Sequence, residues 1–424
     1  MALAGLIARA ASCPAFETPI QSTDQVAGET MTDHAAPVVA PLADYQNGIY
    51  VAGAGGARPG LPITSDAMEE RAREVLGAEA FGYVSGGAGS EDTMLANREA
   101  FRRWRIVPRM LVDVQHRDHT VDLLGAHLPA PVLLAPIGVQ GILHAEGELA
   151  VARAAAAAGV PLILSGVSSF TIEDVADANG AGDRWYQLYW PRDRGVARSF
   201  ITRAETAGYG AIVVTLDTRM LGWRPRDLAN GYLPFLRAAG LANYLSDPVF
   251  RAELPVPPEE DVRPAVARFL AVFSDPSVTW SDLAFLREAT HLPLVLKGIL
   301  RPDDARRAID NGADAIVVSN HGGRQVDGAI GALDVLPDVV EAVAGVVPVL
   351  FDSGIRTGAD AFKAIALGAR AVLLGRPYAW GLAVDGQRGV DHVLRSFLAE
   401  FDLTLALSGY ASTADVDREA LRRM

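Results

Sequence analysis

Cysteine and lysine are almost absent from this sequence. A single cysteine, Cys13, occurs among 424 residues, which excludes a disulfide scaffold and a metal site built from several cysteines. Only Lys297 and Lys363 are lysine, so arginine supplies nearly all of the positive charge. A lysine kept in such a chain indicates a task that a guanidinium does not perform, such as that of a compact point charge or a titratable amine.

Long apolar runs and an excess of positive charge are also missing. No run of 18 uninterrupted apolar residues occurs, so we expect no membrane-spanning segment. The formal net charge is −13, which disfavours nonspecific binding to nucleic acid. Half of the residues are apolar, which is enough for a large core and argues against wholesale disorder.

Residues 1–43 give no clear secondary-structure pattern. Their apolar start is interrupted by Arg9 and lacks a preceding basic region, so we expect a disordered leader or a start codon assigned too early, with Met31 as the other candidate start. A signal peptide is the alternative. One barrel domain is expected over residues 44–424, located in the cytoplasm, with a helical N-terminal extension over residues 63–97 that Ser65 caps.

After Pro129, eight short apolar runs alternate with helical segments, several of which end at a glycine. Near-continuous apolar strands indicate burial on both faces and therefore a parallel sheet. Eight strand–helix units predict an α/β fold of the (β/α)8 TIM-barrel type. An open doubly wound sheet is the alternative, but the first strand lacks the glycine-rich fingerprint of that fold. The predicted strands are 132–135, 162–164, 185–189, 211–216, 294–296, 315–318, 349–351 and 371–374, and the predicted helices include 148–158, 195–207, 302–311, 359–367 and 390–405.

The connection after the fourth strand is far longer than the others. Residues 218–280 contain several prolines and mixed charges before the next helix begins. Long loops inside compact domains are usually lids or insertions, so we predict a lid here.

Polar or glycine-rich clusters follow every predicted strand, at the end where barrels carry their active sites. Residues 352–358 (DSGIRTG) and 374–377 (LGRP) follow strands seven and eight. Their glycines let backbone N–H groups approach oxygens, and Arg356 and Arg376 can form charge-assisted bonds. We predict a phosphorylated ligand here, with two ordinary turns as the structural alternative.

Lys297 closes the fifth strand. A Schiff base and the stabilisation of negative charge on a cofactor ring are both roles for a lysine at such a position, and a buried ion pair is the structural alternative.

His321 closes the sixth strand and is followed by two glycines and Arg324. This arrangement can pair a general base with an anion clamp. Asp217, at the end of the fourth strand, can orient or stabilise the imidazole, and Arg224 can hold a carboxylate together with Arg324. Two further hydroxyl donors, each equally compatible with a core role, are Tyr83 and Tyr189.

From about Tyr45 to Asp415 the chain resembles the FMN-dependent α-hydroxy acid oxidoreductases. Residues 319–325 (SNHGGRQ) are similar to the active-site signature of that family. Supporting matches are residues 187–189 (QLY), 215–217 (TLD), 296–298 (LKG) and 375–377 (GRP).

The resemblance implies FMN at the barrel mouth and a small 2-hydroxy carboxylic acid as substrate, with O2 as the oxidant. It implies that His321 takes the hydroxyl proton, that Asp217 stabilises the imidazolium, and that Lys297 stabilises the reduced flavin. The implied substrate ligands are Tyr83, Tyr189, Arg224 and Arg324. The implied FMN contacts are Pro136, Ile137, Gly138, Ser165, Gln187, Thr215, Lys297, Ser319, Asp352, Ser353, Gly354, Arg356, Gly375 and Arg376. The family also implies a homo-oligomer, a tetramer or an octamer.

Within the family, the chain most resembles the lactate 2-monooxygenases, which yield acetate, CO2 and water. The resemblance lies in residues 221–227 (LGWRPRD), residues 352–356 (DSGIR), the long fourth connection and Gly138. An oxidase or dehydrogenase of the same family is the nearest alternative. Val167 and Leu143 leave open a substrate longer than lactate. Outside the family, the alternatives are an aldolase or isomerase using Lys297 and a noncatalytic barrel.

Overall fold

The computed structural model describes residues 42–424. All of the predicted leader except Leu42 and Ala43 lies outside this range. Ala43 is buried, and its backbone N–H donates to Asp402 Oδ2 at 2.8 Å, so the described domain includes a residue that the predicted boundary excluded.

Helices cover the start of the domain, as predicted: α1 (Asp44–Ala54), α2 (Ser65–Val75), α3 (Ala78–Ser85) and α4 (Asp92–Arg102). The cap of α2 is Thr64, whose Oγ1 accepts from the N–H of Ala67 at 3.3 Å, and the prediction of Ser65 was wrong by one residue. Three short strands follow: β1 (Trp104–Ile106), β2 (Val121–Leu123) and β3 (Ala126–Leu128).

Eight parallel strands form a closed barrel, which confirms the predicted (β/α)8 TIM barrel. They are β4 (Val132–Leu134), β5 (Leu162–Ser165), β6 (Arg184–Tyr189), β7 (Ile212–Thr215), β8 (Leu294–Ile299), β9 (Ala315–Val318), β10 (Val349–Phe351) and β11 (Ala371–Leu374). Pairing of β11 with β4, with Val372 beside Val132, closes the barrel and rules out an open sheet. The register places Thr215 beside Lys297 and Ser165 beside Gln187, so these predicted site residues are neighbours on adjacent strands.

The helices that follow the strands are α5 (Gly147–Ala158), α6 (Ile172–Asn179), α7 (Arg194–Thr206), α12 (Leu283–Ala289), α13 (Pro302–Asp310), α14 (Ala332–Val343), α15 (Gly358–Ala366) and α16 (Arg376–Leu407). The last of these is kinked where Asp385 and Gly386 leave helical dihedral angles, and the predicted helix 390–405 is its second half. Antiparallel pairing of β1 with β12 (Leu421–Arg423) joins the two ends of the domain.

The barrel interior is closed at one end and open at the other. The β2–β3 hairpin packs Val121, Leu123 and Leu128 into the same cluster as Ala211 and Ala315, which stand at the beginnings of β7 and β9. The hairpin therefore fills the end where the strands begin. The end where they finish is left for a functional site, as is general for this fold.

The long fourth connection is present, and much of it is helical. It contains α8 (Pro225–Ala229), α9 (Ala242–Leu245), α10 (Pro248–Ala252) and α11 (Arg263–Val272). Pro225 and Pro248 stand in the first turn of their helices, where the missing N–H costs nothing and the fixed φ suits the helix. Across residues 42–424 we find no helix with the length and hydrophobicity needed to cross a bilayer.

Candidate active site

A cleft at the finishing ends of the strands collects most of the predicted site residues. Those that line it are Tyr83, Pro136, Ile137, Gly138, Tyr189, Thr215, Arg224, Lys297, His321, Arg324, Asp352, Ser353, Gly354, Arg356, Gly375 and Arg376. The others are Ser165, Gln187, Asp217 and Ser319. Each of these stands behind the wall, bonded to a neighbour among the predicted residues. The structure thus brings all of the predicted site residues together at one mouth of the barrel.

His321 and Asp217 form a partly buried pair. His321 Nδ1 lies 2.8 Å from Asp217 Oδ1, which leaves Nε2 as the ring nitrogen available to a substrate. Burial lowers the pKa of His321 below its usual value, although Asp217 opposes that effect, so the imidazole is neutral at pH 7 and can accept a proton. Burial alone would raise the pKa of Asp217, but His321 and then Lys297 reverse this and hold it low, so the carboxylate stays charged.

Lys297 lies almost entirely out of contact with solvent and is held by two side chains. Its Nζ is 2.8 Å from Asp352 Oδ2 and donates to Ser319 Oγ at 2.8 Å. Burial alone would lower the pKa of this amine, but Asp352 and Asp217 outweigh it and raise the pKa, so the group is an ammonium ion at neutral pH. A fixed positive charge therefore stands at the cleft wall, beside Thr215 of β7.

Two arginines from different loops face the same part of the cleft. Arg224 donates from Nη2 to Gln325 Oε1 at 3.1 Å and from Nε to the carbonyl of Arg324 at 3.2 Å. Arg324 donates to the carbonyl of Gly86 at 2.8 Å. Burial and the nearby Arg224 lower the pKa of Arg324 to about 10. None of these partners is a carboxylate, so the pair is suited to an anion that enters from outside.

Tyr83 and Tyr189 add two phenols to this anion-binding region. Burial raises the pKa of both, which keeps the hydroxyl groups protonated and able to donate. The guanidinium of Arg324 lies 5.3 Å from the centre of the Tyr83 ring, which ties this side chain from α3 to the clamp.

A second pair of arginines, Arg356 and Arg376, also lines the cleft, and Arg376 adjoins the clamp because it shares the Gly86 carbonyl with Arg324. Arg356 donates to the carbonyl of Ile355 at 2.9 Å, and Arg376 donates to the carbonyls of Gly322 and Gly86 at 2.9 and 2.8 Å. Burial, followed by repulsion from Arg98, lowers the pKa of Arg356 to about 10. Burial and the neighbouring arginines likewise lower the pKa of Arg376. Buried guanidiniums bonded only to carbonyls favour a phosphate ligand, which would satisfy their charge.

Gln187, which is bonded to Ser165 behind the cleft lining, can offer a hydrogen-bond donor to a polar ring. Ser165 Oγ donates to Gln187 Oε1 at 3.1 Å, which fixes the amide. Within residues 42–424, the buried Nε2 of Gln187 has no hydrogen-bond partner, and a buried donor left in this state is costly. Arginines suited to a phosphate, an ammonium ion and this amide donor are groups that FMN can use, so the residues fit FMN.

Gly138 has a steric explanation that the sequence could not show. A Cβ at this position would lie 2.6 Å from Val167 Cγ2 and 2.8 Å from the Val167 carbonyl oxygen. The close approach of the loop after β4 to the loop after β5 thus favours glycine here, and Gly138 gives no independent support for the monooxygenase assignment.

Sequence reasoning missed Gln325 as a site residue, although it lies in the matched signature. Its Oε1 accepts from Arg224 Nη2 and from the N–H of Gly222 at 3.1 and 3.3 Å. Its Nε2 donates to the carbonyls of Asp217 and Met220, both at 2.9 Å. The Gln325 amide therefore holds both the backbone of Asp217, which bonds His321, and the guanidinium of Arg224. A Cβ on Gly222 would lie 2.5 Å from the Arg324 carbonyl, so the two loops touch directly.

Thr218 was also missed. Its hydroxyl lies 3.1 Å from Asp217 Oδ1 and 3.2 Å from His321 Nδ1. Thr218 follows Asp217 in the chain. Its polar side chain next to a predicted site carboxylate is the feature of the sequence that could have identified it as a site residue.

Comparison with known proteins agrees with this site. The model of the family described as FMN-dependent dehydrogenase matches residues 72–423. The FMN-dependent alpha-hydroxy acid dehydrogenase qulF of Penicillium citrinum is 46% identical over 384 residues, covering 90% of this chain and 96% of that protein. The L-lactate oxidase of Lysinibacillus sphaericus (strain C3-41) is 45% identical over 356 residues, covering 84% and 92%. A crystal structure of mandelate oxidase with (S)-4-hydroxymandelic acid is 41% identical, with a TM-score of 0.76, and covers 85% of this chain and 98% of that one.

Proposed function

The chain belongs to the FMN-dependent α-hydroxy acid oxidoreductases, and from this premise we propose that it oxidises a 2-hydroxy acid at the cleft and passes the electrons to O2. The observation that carries the proposal is that the neutral His321 lines one cleft with Arg224 and Arg324, neither of which is hydrogen-bonded to a carboxylate of the described residues. A base and an anion clamp in one cleft suit a substrate that bears a hydroxyl group next to a carboxylate.

FMN, when bound, supplies the two-electron acceptor. Arg356, Arg376 and the backbone at Gly354 and Gly375 are the groups that would hold its phosphate. The Gln187 amide and the Lys297 ammonium are the groups that would contact its ring. A positive charge beside a ring that gains electrons stabilises the product of that gain.

The protein residues then have separate tasks. Arg224 and Arg324 bind the substrate carboxylate, with Tyr83 and Tyr189 as additional donors. His321 takes the hydroxyl proton at Nε2, and Asp217 stabilises the imidazolium through Nδ1. Proton transfer to a positioned base of this kind typically contributes about 10²–10⁴-fold to a rate.

The state of Lys297 argues against the aldolase alternative. A Schiff base needs an unprotonated amine, whereas the pKa of Lys297 is raised by its carboxylate neighbours. The ion pair with Asp352 at 2.8 Å further holds the amine away from a carbonyl substrate.

The fate of the oxidised product divides the family's oxidases from its monooxygenases. We propose the oxidase outcome, a 2-oxo acid and hydrogen peroxide, because relatives such as the L-lactate oxidase of Lysinibacillus sphaericus carry oxidase names.

Lactate 2-monooxygenase, the narrower prediction from the sequence, is the second candidate. It is favoured by the folded connection of residues 218–280, because Phe235 and Phe273 of this connection line the cleft. A lid that delays release gives peroxide time to react with the oxo acid.

Product analysis in air separates these outcomes. The holoenzyme is given an (S)-2-hydroxy acid, and oxo acid, peroxide and CO2 are quantified. One equivalent each of oxo acid and peroxide supports the oxidase. A carboxylic acid shorter by one carbon, with CO2 and no free peroxide, supports the monooxygenase. Turnover that requires an artificial acceptor contradicts both and indicates a dehydrogenase.

A further inference from the structure

One wall of the cleft is apolar and is built partly by the lid. Beside the arginine clamp, the cleft is lined by Ile142, Leu143, Val167, Leu221, Phe235 and Phe273. Leu143 and Val167 come from the loops after β4 and β5. Phe235 and Phe273 come from residues 218–280, the long connection after β7.

Phe273 touches the substrate-binding end of the cleft directly. Its ring centre lies 4.9 Å from that of Tyr189, and Phe235 lies 5.9 Å from Phe273 on the other side. All three side chains line the cleft. The apolar wall thus adjoins Tyr189, one of the side chains proposed to bind the substrate carboxylate.

The wall is rigidly supported. Phe269 packs on Phe273 at 5.0 Å and on Phe235 at 5.1 Å, and Tyr244 packs edge-on against Phe269 at 4.9 Å. Tyr244 in turn contacts Phe200 of α7, which belongs to the barrel. Edge-to-face contacts between buried aromatic rings fix their orientation. The lid therefore presents a preformed surface. Binding of a ligand to this surface costs little conformational entropy of the protein side chains.

We propose that Phe235, Phe273, Leu143 and Val167 form a subsite for the substrate's side chain, and that the preferred substrates are 2-hydroxy acids with an apolar side chain larger than the methyl group of lactate. This inference rests on the proposed function. A methyl group leaves most of this wall in contact with water, whereas a longer chain or a ring removes water from both surfaces. A charged side chain would lose its hydration without gaining a partner on this wall.

The test compares kcat/KM for the holoenzyme across lactate, 2-hydroxybutanoate, 2-hydroxyhexanoate, 2-hydroxyoctanoate and mandelate. We expect kcat/KM to rise by about fourfold for each methylene group that is buried, until the wall is filled. A kcat/KM for lactate that equals or exceeds the values for the longer substrates overturns the proposed subsite. Failure of every 2-hydroxy acid to reduce the flavin contradicts the proposed function instead, so the two failures are distinguishable.

Variants locate the effect. Phe273→Ala is expected to lower the ratio of kcat/KM for 2-hydroxyoctanoate or mandelate to kcat/KM for lactate at least tenfold, a change in ratio that a general folding defect would not produce. Phe235→Leu is a milder second variant should Phe273→Ala fail to fold. Matched controls are Leu236→Ala and Leu270→Ala, which lie next to Phe235 and three residues before Phe273 in the chain and have 59% and 47% exposed side chains. Equal losses for lactate and the long substrates, or losses of the same size in the controls, overturn the assignment.

A binding measurement supplies a readout apart from turnover. Octanoate and acetate carry the same carboxylate but no hydroxyl group, so they bind without reacting. Their dissociation constants are measured from the change in flavin absorbance. We expect octanoate to bind at least tenfold more tightly than acetate to the wild type, with most of this difference lost in Phe273→Ala. Equal affinities in the wild type contradict the subsite.

Discussion

Asp217 bonds His321 through Nδ1 at 2.8 Å, and this contact decides which ring nitrogen faces the cleft. Because Nδ1 is engaged, Nε2 is the atom that must accept the substrate's proton. The carboxylate also raises the pKa of an imidazole that burial has lowered. The same contact therefore controls both the orientation and the basicity of the proposed base.

Activity is expected to depend on pH through His321. The imidazole must be neutral to accept a proton, and burial holds its pKa below the usual 6.5. In the wild type, kcat/KM should therefore rise with pH and level off before neutrality. In Asp217→Asn the opposing carboxylate is lost, so the pKa falls further and the acidic limb moves to lower pH. The plateau value of kcat should drop by about 10–10²-fold because the imidazolium loses its partner. A limb that moves to higher pH would contradict this account.

The two lysines provide a matched pair of variants. Lys297→Met removes the ammonium ion at the cleft wall and leaves Asp352 without its partner. We expect the rate constant for flavin reduction to fall by about 10²–10³-fold. Lys363, which donates to the carbonyl of Phe101 at 3.0 Å away from the cleft lining, serves as the control, and Lys363→Met should reduce the flavin at a near-normal rate. Near-normal reduction by Lys297→Met refutes its assigned role.

Gln325 is expected to act as a positioning residue. Gln325→Leu keeps the size of the side chain but removes its four hydrogen bonds to Arg224, Gly222, Asp217 and Met220. Loss of the bond to a charged group alone costs roughly 1.5–3 kcal/mol, so kcat/KM should fall at least tenfold, mostly through KM. Dissociation constants of unreactive carboxylates should rise in parallel. A fall in thermal stability without a change in carboxylate affinity would indicate a merely structural residue.

Flavin binding tests the proposal that Arg376 holds the phosphate of FMN. Arg376→Ala removes a buried guanidinium that donates to Val84, Gly86 and Gly322. The dissociation constant for FMN should rise by about 10–10²-fold, as expected for losing charge-assisted bonds, while that for riboflavin, which lacks the phosphate, should change little. An equal loss for both flavins would place the effect on the ring or on the fold.

Local sequence patterns were sufficient to predict the barrel strands. Their apolar runs ended where the polar clusters began, and this boundary identified Lys297, His321 and Asp217 before any contact was known. The family resemblance then supplied their roles. The oligomeric state and the location in the cell remain predictions.

Features that depend on distant contacts were not predictable in this way. The β2–β3 hairpin turns at Leu124 and Gly125, and a leucine with positive φ gives no turn signal in a sequence. The lid helices are short, and two of them, α8 and α10, begin with prolines that also suit loops. Gln325 acts through Arg224, about one hundred residues away in the chain, so its role needed the folded structure.

Anaerobic mixing of the FMN-loaded protein with an (S)-2-hydroxy acid tests the central claim most directly. Flavin absorbance is followed in the wild type and in His321→Asn, which retains a polar side chain but no base. The account predicts rapid bleaching in the wild type and bleaching at least 10²-fold slower in His321→Asn. Flavin that stays oxidised with every 2-hydroxy acid, or equal rates in the two proteins, would contradict it.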